Sequence, residues 1–174
     1  MDWNTGIVYS ILTDRFDTGN PSNDNSFGRH KDGKDEIGTW HGGDFKGITE
    51  KLDYIKSLGV NTIWITPIVG QTHGFIGGGD VNNPDPNSGS TPEAKTWPFY
   101  GYHGYWASDF TKLDPNLGTE DEFREMIDEA HKRGIRILVD TVMNHPGHIS
   151  LADIQDYGLK GLVTEPVQKS LPEK

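Results

Sequence analysis

Three short apolar, β-branched runs constrain this chain more than any other feature: Ile7–Thr13 (IVYSILT), Thr62–Thr66 (TIWIT) and Ile135–Val142 (IRILVDTV). Near-continuous apolar runs of this length fit strands buried on both faces, as in a parallel sheet. Two helical patterns separate them. Ile48, Leu52 and Ile55 recur at helical spacing before Leu58-Gly59, and the glycine suits a helix C-terminus. The second helix has a capping-box pair in Thr119 and Glu122, with Glu120 and Asp121 at the positive end of its dipole. Phe123, Met126, Ile127 and Ala130 form its apolar stripe, and His131, Lys132 and Arg133 close it before Gly134. The order is β-α-β-α-β with right-handed crossovers.

The connections are asymmetric. Each helix returns to the next strand within about three or four residues, as ordinary loops do. The strand-to-helix loops instead run from Asp14 to near Phe45 and from Pro67 to Gly118. Elaboration therefore gathers at the C-terminal ends of the strands, where open α/β sheets and (β/α)8 barrels both carry their sites. A nucleotide-binding doubly wound fold would need a short glycine-rich turn after strand one. The segment TDRFDTGNPSNDNS has neither a G-x-G-x-x-G nor a Walker pattern. FIGGGD (Phe75–Asp80) lies inside a long loop and reads as a mobile loop rather than a phosphate cradle. The barrel is favoured, although a complete one takes about 250 residues and these 174 show three strands. The expected class is α/β: a partial TIM (β/α)8 barrel of three parallel strands and two helices with long βα loops. It ends in an insertion after strand three, where Leu151–Tyr157 suggests one short helix.

Charge and composition exclude several functions. A formal net charge of −10 and a pI of about 5.0 repel phosphate backbones, so no nucleic-acid partner is expected. No apolar run approaches a membrane span and no signal peptide opens the chain, so no membrane partner is expected either. Cysteine is absent, which removes disulfides and thiolate metal sites.

The segment DTVMNHPGH, Asp140–His148, holds an Asp, an Asn and two His at the end of the third run. Alone it admits a metal site, a catalytic triad or neither. Its first part, DTVMNH, resembles the first signature region of the α-amylase family of glycoside hydrolases. YHGYW (Tyr102–Trp106), LTDRF (Leu12–Phe16), GGDFKGI (Gly42–Ile48) and LGVNTIWITP (Leu58–Pro67) resemble further family segments in the family's order. GNPSNDNSFGRHKDG and LADIQDYG are similar to the bacterial periplasmic branch.

The resemblance implies roles. His145 corresponds to a sugar-binding histidine, and Tyr105, with His103 beside it, to the aromatic platform under the same sugar; a ring at a site floor stacks well on a pyranose face. Asn144 corresponds to a ligand of the family's Ca2+, an ion that takes oxygen donors, though an Asn after a strand is also an ordinary turn residue. Asp140 corresponds to a structural carboxylate, not the nucleophile, and Asp14 and Arg15 to a structural pair. Asp17, Asn20, Asn23, Asp24, Gly42 and Asp44 resemble a second Ca2+ cluster, with Thr18 where the relatives carry Asp. The same residues would also suit an Asn/Asp-rich turn.

Retaining glycosidases need two carboxyl groups roughly 5–5.5 Å apart. In the family these follow later strands, so residues 1–145 are expected to be the N-terminal part of the barrel and 146–174 the start of the extension after strand three. The expected function is the N-terminal part of a retaining hydrolase of α-1,4-glucans such as starch and maltooligosaccharides, inactive alone, from a periplasmic or extracellular parent. The alternatives are a non-catalytic carbohydrate- or Ca2+-binding module and a half-barrel that self-associates through its open edges.

Overall fold

A computed structural model describes residues 3–24, 26–28, 38–75 and 99–161. Within FIGGGD, residues 76–80 lie outside the described residues, as do residues 162–174 of the expected extension. Strands β1 (Val8–Ile11), β2 (Thr62–Ile65) and β5 (Arg136–Val139) form a parallel sheet in the order β1-β2-β5. The register aligns Tyr9 with Ile63 and Ile137, and Ile11 with Ile65 and Val139. The strands are shorter than the apolar runs, because Thr13 and Asp14 already turn away in a short 3-10 turn. Asp140 lies just past β5, although its N–H still donates to the Ile65 carbonyl at 3.0 Å.

One face of the sheet carries the core. Ile11, Ile63 and Ile65 pack with Phe45, Ile48, Leu52, Ile55, Met126, Ala130 and Ile135, all buried. The expected first helix is two short ones, α1 (Phe45–Glu50) and α2 (Leu52–Ser57), separated at Lys51, whose φ of −99° and ψ of 3° leave the helical region. Its apolar stripe is continuous across the break, so periodicity alone could not show it. Helix α3 (Glu120–Lys132) begins with the full capping box: the Glu122 N–H donates to Thr119 Oγ1, and the Thr119 N–H to the Glu122 carboxylate. Helix α4 (Leu151–Asp156) starts on a second box, Ser150 with Asp153.

Among the described residues, the opposite face carries exposed apolar side chains. Trp64 is 45% exposed and its neighbour in register, Leu138, 39%. The long loop between β2 and α3 also contains structure that the sequence reading missed. β3 (Val69–Gln71) pairs antiparallel with β4 (Ala107–Leu113), with register irregularities on either side of Gly70.

Candidate substrate-binding site at the strand ends

The loop that leads into β4 is set by one glycine. Gly104 has φ +87°, and a Cβ there would lie 2.6 Å from the Pro67 carbonyl oxygen. Only glycine lets the Tyr102–Trp106 loop lie against the turn that follows β2. That contact carries His103 and Tyr105 to the C-terminal rim of the sheet.

Around them the rings form a continuous wall. The His103 and Tyr105 rings stack with centroids 5.7 Å apart, while Tyr102 and Trp106 meet His103 edge-on at 5.2 and 4.7 Å. The Tyr105 N–H donates to His103 Nδ1 at 3.0 Å, so the imidazole is neutral with its proton on Nε2. Burial and the nearby Arg15 charge push its pKa down to about 4, in agreement with that tautomer. Arg15 sits 3.8 Å over the Tyr102 ring, donates to the Thr39 carbonyl at 2.8 Å and pairs with Asp14. Asp14 is buried and accepts the N–H groups of His41 and Gly42. Burial outweighs Arg15 and these donors, and raises its pKa to about 6. Asp14 and Arg15 therefore brace the wall from behind.

The third strand closes the arrangement. The Tyr105 hydroxyl donates to Asp140 Oδ2 at 2.7 Å, and this bond holds the phenol pKa above its ordinary value. His145 Nε2 donates to the Tyr105 carbonyl at 3.1 Å. That leaves His145 Nδ1 as acceptor for the Asn144 side-chain amide at 3.3 Å. Three residues expected to meet sugar, His103, Tyr105 and His145, thus come together although 42 positions separate the first from the last. Tyr105 stays 39% exposed, so its ring remains accessible from solvent. Two contacts have no local signature among the residues: Tyr105 with Asp140, and the His148 ring edge-on to Trp106 at 5.8 Å.

The loop after β1 is organised around Asp44, whose side chain is buried and caps α1. Asp44 Oδ1 accepts from the N–H groups of Gly19 and Gly47, and Oδ2 from the Asn20 N–H and the Asn23 amide. Asn20 Oδ1 accepts from Ser22, and the Asp17 carboxylate faces Lys51 Nζ at 3.5 Å. Asn23 Oδ1 is buried with no hydrogen-bond partner among the described residues. Beside it, Gly42 has φ +92° and is closely approached by the Asp24 carboxylate, which a Cβ would meet at 2.5 Å. Among the described residues, no group of three or more His, Cys, Asp or Glu side chains is arranged to hold a metal ion.

Comparison with known proteins identifies the family. The family described as alpha amylase, catalytic domain, matches residues 10–155. The periplasmic alpha-amylase of Escherichia coli K12 is 50% identical over 176 aligned residues, covering 100% of this chain and 24% of that protein. The beta/alpha-amylase of Paenibacillus polymyxa is 40% identical over 84% of this chain and 10% of its own length. Among solved structures, a cyclomaltodextrin glucanotransferase with a three-domain arrangement superposes with a TM-score of 0.70 at 30% identity, over 86% of this chain and 28% of that one. An Anoxybacillus alpha-amylase superposes with a TM-score of 0.64 at 35% identity, over 92% and 28% respectively. The chain thus spans about a quarter of the length of the Escherichia coli relative. It belongs to the alpha-amylase family of glycoside hydrolases, and its three parallel strands are part of that family's (β/α)8 catalytic barrel.

Proposed function

We propose that this chain supplies part of the substrate floor of a retaining hydrolase of α-1,4-glucans. Residues 1–145 form the N-terminal part of the barrel, and 146–174 begin the extension after its third strand. The observation that supports this is the exposed Tyr105 ring, stacked on His103 and tied to Asp140 and His145 at the strand ends. Tyr105 lies under the sugar with the His103 ring beside it, and His145 reaches the sugar by exchanging its Nε2 bond to the Tyr105 carbonyl for one to a sugar hydroxyl. The protein is periplasmic or extracellular, a reading supported by the name of its Escherichia coli relative.

Ca2+ belongs to the same reading. Asn144 is the candidate ligand of one ion, and the loop cluster Asp17, Asn20, Asn23, Asp24, Gly42 and Asp44 that of a second. The orphaned, buried Asn23 Oδ1 suits a hard cation. Asn23, Asp24 and the Gly42 carbonyl would hold the ion, while Asp44 and Asn20, already engaged by N–H donors, shape the loop.

Calorimetric titration with maltohexaose tests the proposal. Heat of binding is expected at millimolar ligand, is lost in Tyr105→Ala, and is accompanied by no release of reducing sugar from starch. Absence of heat both with and without Ca2+ would remove the binding role.

A second reading is supported by the open sheet face. Val8, Trp64 and Leu138 expose apolar surface between two outer strands, β1 and β5, each paired on one side. Apolar faces and strand edges of this kind associate. We therefore expect the isolated chain to scatter light above its monomer mass of 19.4 kDa, and a monodisperse monomer counts against self-association.

A further inference from the structure

His148 lies three residues past His145 and outside the sugar contacts proposed for the rim. Its surroundings differ from those of the other two rim histidines. His103 accepts the Tyr105 N–H at Nδ1, and His145 has both nitrogens engaged, Nε2 with the Tyr105 carbonyl and Nδ1 with Asn144. His148 is exposed, and neither of its ring nitrogens has a hydrogen-bond partner among the described residues. An imidazole donor and acceptor therefore stand at the rim with no internal bond to give up.

The backbone that carries this ring is nonetheless fixed on both sides. Gly147 lies so close to Trp106 that a Cβ would come within 2.3 Å of the Trp106 carbonyl oxygen, and its N–H donates to the Ala107 carbonyl at 2.6 Å. The His148 carbonyl accepts the hydroxyl of the buried Thr72 at 2.6 Å. Two residues on, Ser150 is buried, accepts the Gly74 N–H at 3.1 Å and caps α4. A polar ring on so constrained a backbone has little conformational freedom left to lose when a ligand binds it.

The ring also continues the aromatic line that begins at Tyr105. Tyr105 stacks on His103, His103 meets Trp106 edge-on at 4.7 Å, and Trp106 meets His148 edge-on at 5.8 Å. Tyr105 is exposed at one end of this line and His148 at the other. A linear sugar chain laid along it meets an apolar ring face under one residue and free hydrogen-bonding atoms further on.

We infer that His148 is a second contact for the glucan. It hydrogen-bonds a sugar further along the chain from the one above Tyr105, and so favours long ligands over single sugars. This rests on the glucan-binding reading and extends it from one sugar to a run of them. His145 must exchange an existing bond to reach its sugar, whereas His148 gains one outright.

NMR-monitored titration of the 174-residue chain with methyl α-glucoside, a single sugar, and with maltohexaose tests the inference. The His148 imidazole C–H signal, assigned by its loss in His148→Ala, is expected to shift with maltohexaose and to stay in place with methyl α-glucoside. His148→Ala should weaken maltohexaose binding roughly fivefold, the effect of one neutral hydrogen bond, and leave methyl α-glucoside unchanged. His148→Gln, which keeps a donor and an acceptor, should recover most of that loss. A His148 signal that stays in place while maltohexaose binds overturns the inference and leaves the glucan-binding reading standing. So does unchanged maltohexaose affinity in His148→Ala, or equal weakening of both ligands, which a merely structural role would give. A parent chain that binds neither ligand removes both.

Discussion

Asp44→Ala is expected to lower the unfolding free energy by about 4 kcal/mol. Its two carboxylate oxygens receive four N–H donors, one for each lone-pair direction. One of them, the Gly47 N–H, is an N-cap bond to α1, and losing a cap of this kind costs roughly 0.5–2 kcal/mol. The Gly19 and Asn20 N–H groups and the Asn23 amide are left without their acceptor in a part-buried loop. Each such orphan costs about 1–3 kcal/mol, and their sum is reduced by whatever water the relaxed loop admits. Asp44→Asn keeps one acceptor oxygen and should lose about half as much. Urea unfolding followed by tryptophan fluorescence reads the effect directly, because Trp40 is buried close by in sequence. A change in midpoint equivalent to less than about 1 kcal/mol would show that the loop does not depend on this carboxylate.

How much of this was legible beforehand depends on the reach of each interaction. Strand identity, the α3 capping box and the concentration of long loops at the strand ends are local in sequence, and the residues announced them. The β3–β4 pair was not legible. It joins segments some 40 positions apart, and β4 exposes Phe110, Thr111 and Lys112 in succession, so no alternation marks it. Strand ends were overestimated for a related reason: Thr13 and Val142 are β-branched, but backbone turning at Thr13 and after Val139 is set by contacts across the sheet.

The site divides in the same way. YHGYW marked His103 and Tyr105, yet their stacking depends on Gly104 resting on the Pro67 turn, which has no signature beyond the glycine itself. The Tyr105–Asp140 bond spans 35 positions, and neither residue hints at the other. In the first loop, residue types suggested a cage of oxygens. The structure shows that Asp44 and Asn20 direct theirs to N–H donors, a division of labour invisible to composition.

Acid titration of stability should expose two opposed groups on either side of Arg15. Asp14 has its pKa raised to about 6 in the folded protein, chiefly by burial, against 3.8 for the unfolded side chain. Folding therefore favours its protonated form, so its penalty is fully present above about pH 6 and is relieved as the pH falls toward 4. At about 1.4 kcal/mol per unit, that relief approaches about 3 kcal/mol. His103 works the other way. Its folded pKa is lowered to about 4 by burial and Arg15, against 6.5 unfolded. The neutral ring favours folding above pH 6.5, and that contribution is lost on acidification toward 4. Partial exposure reduces its size to about 2 kcal/mol. In the unaltered chain the two slopes nearly cancel across the same interval. His103→Gln, which can still accept the Tyr105 N–H, should gain about 2 kcal/mol relative to the parent between neutral pH and pH 4. Asp14→Asn should lose about 3 kcal/mol relative to the parent over that range. Urea titrations at successive pH values measure both differences. Curves for the two variants that run parallel to the parent would mean that neither group changes its proton affinity on folding. Curves that diverge in opposite directions would show that the rim holds a neutral imidazole beside Arg15 at the expense of burying a carboxylate behind it.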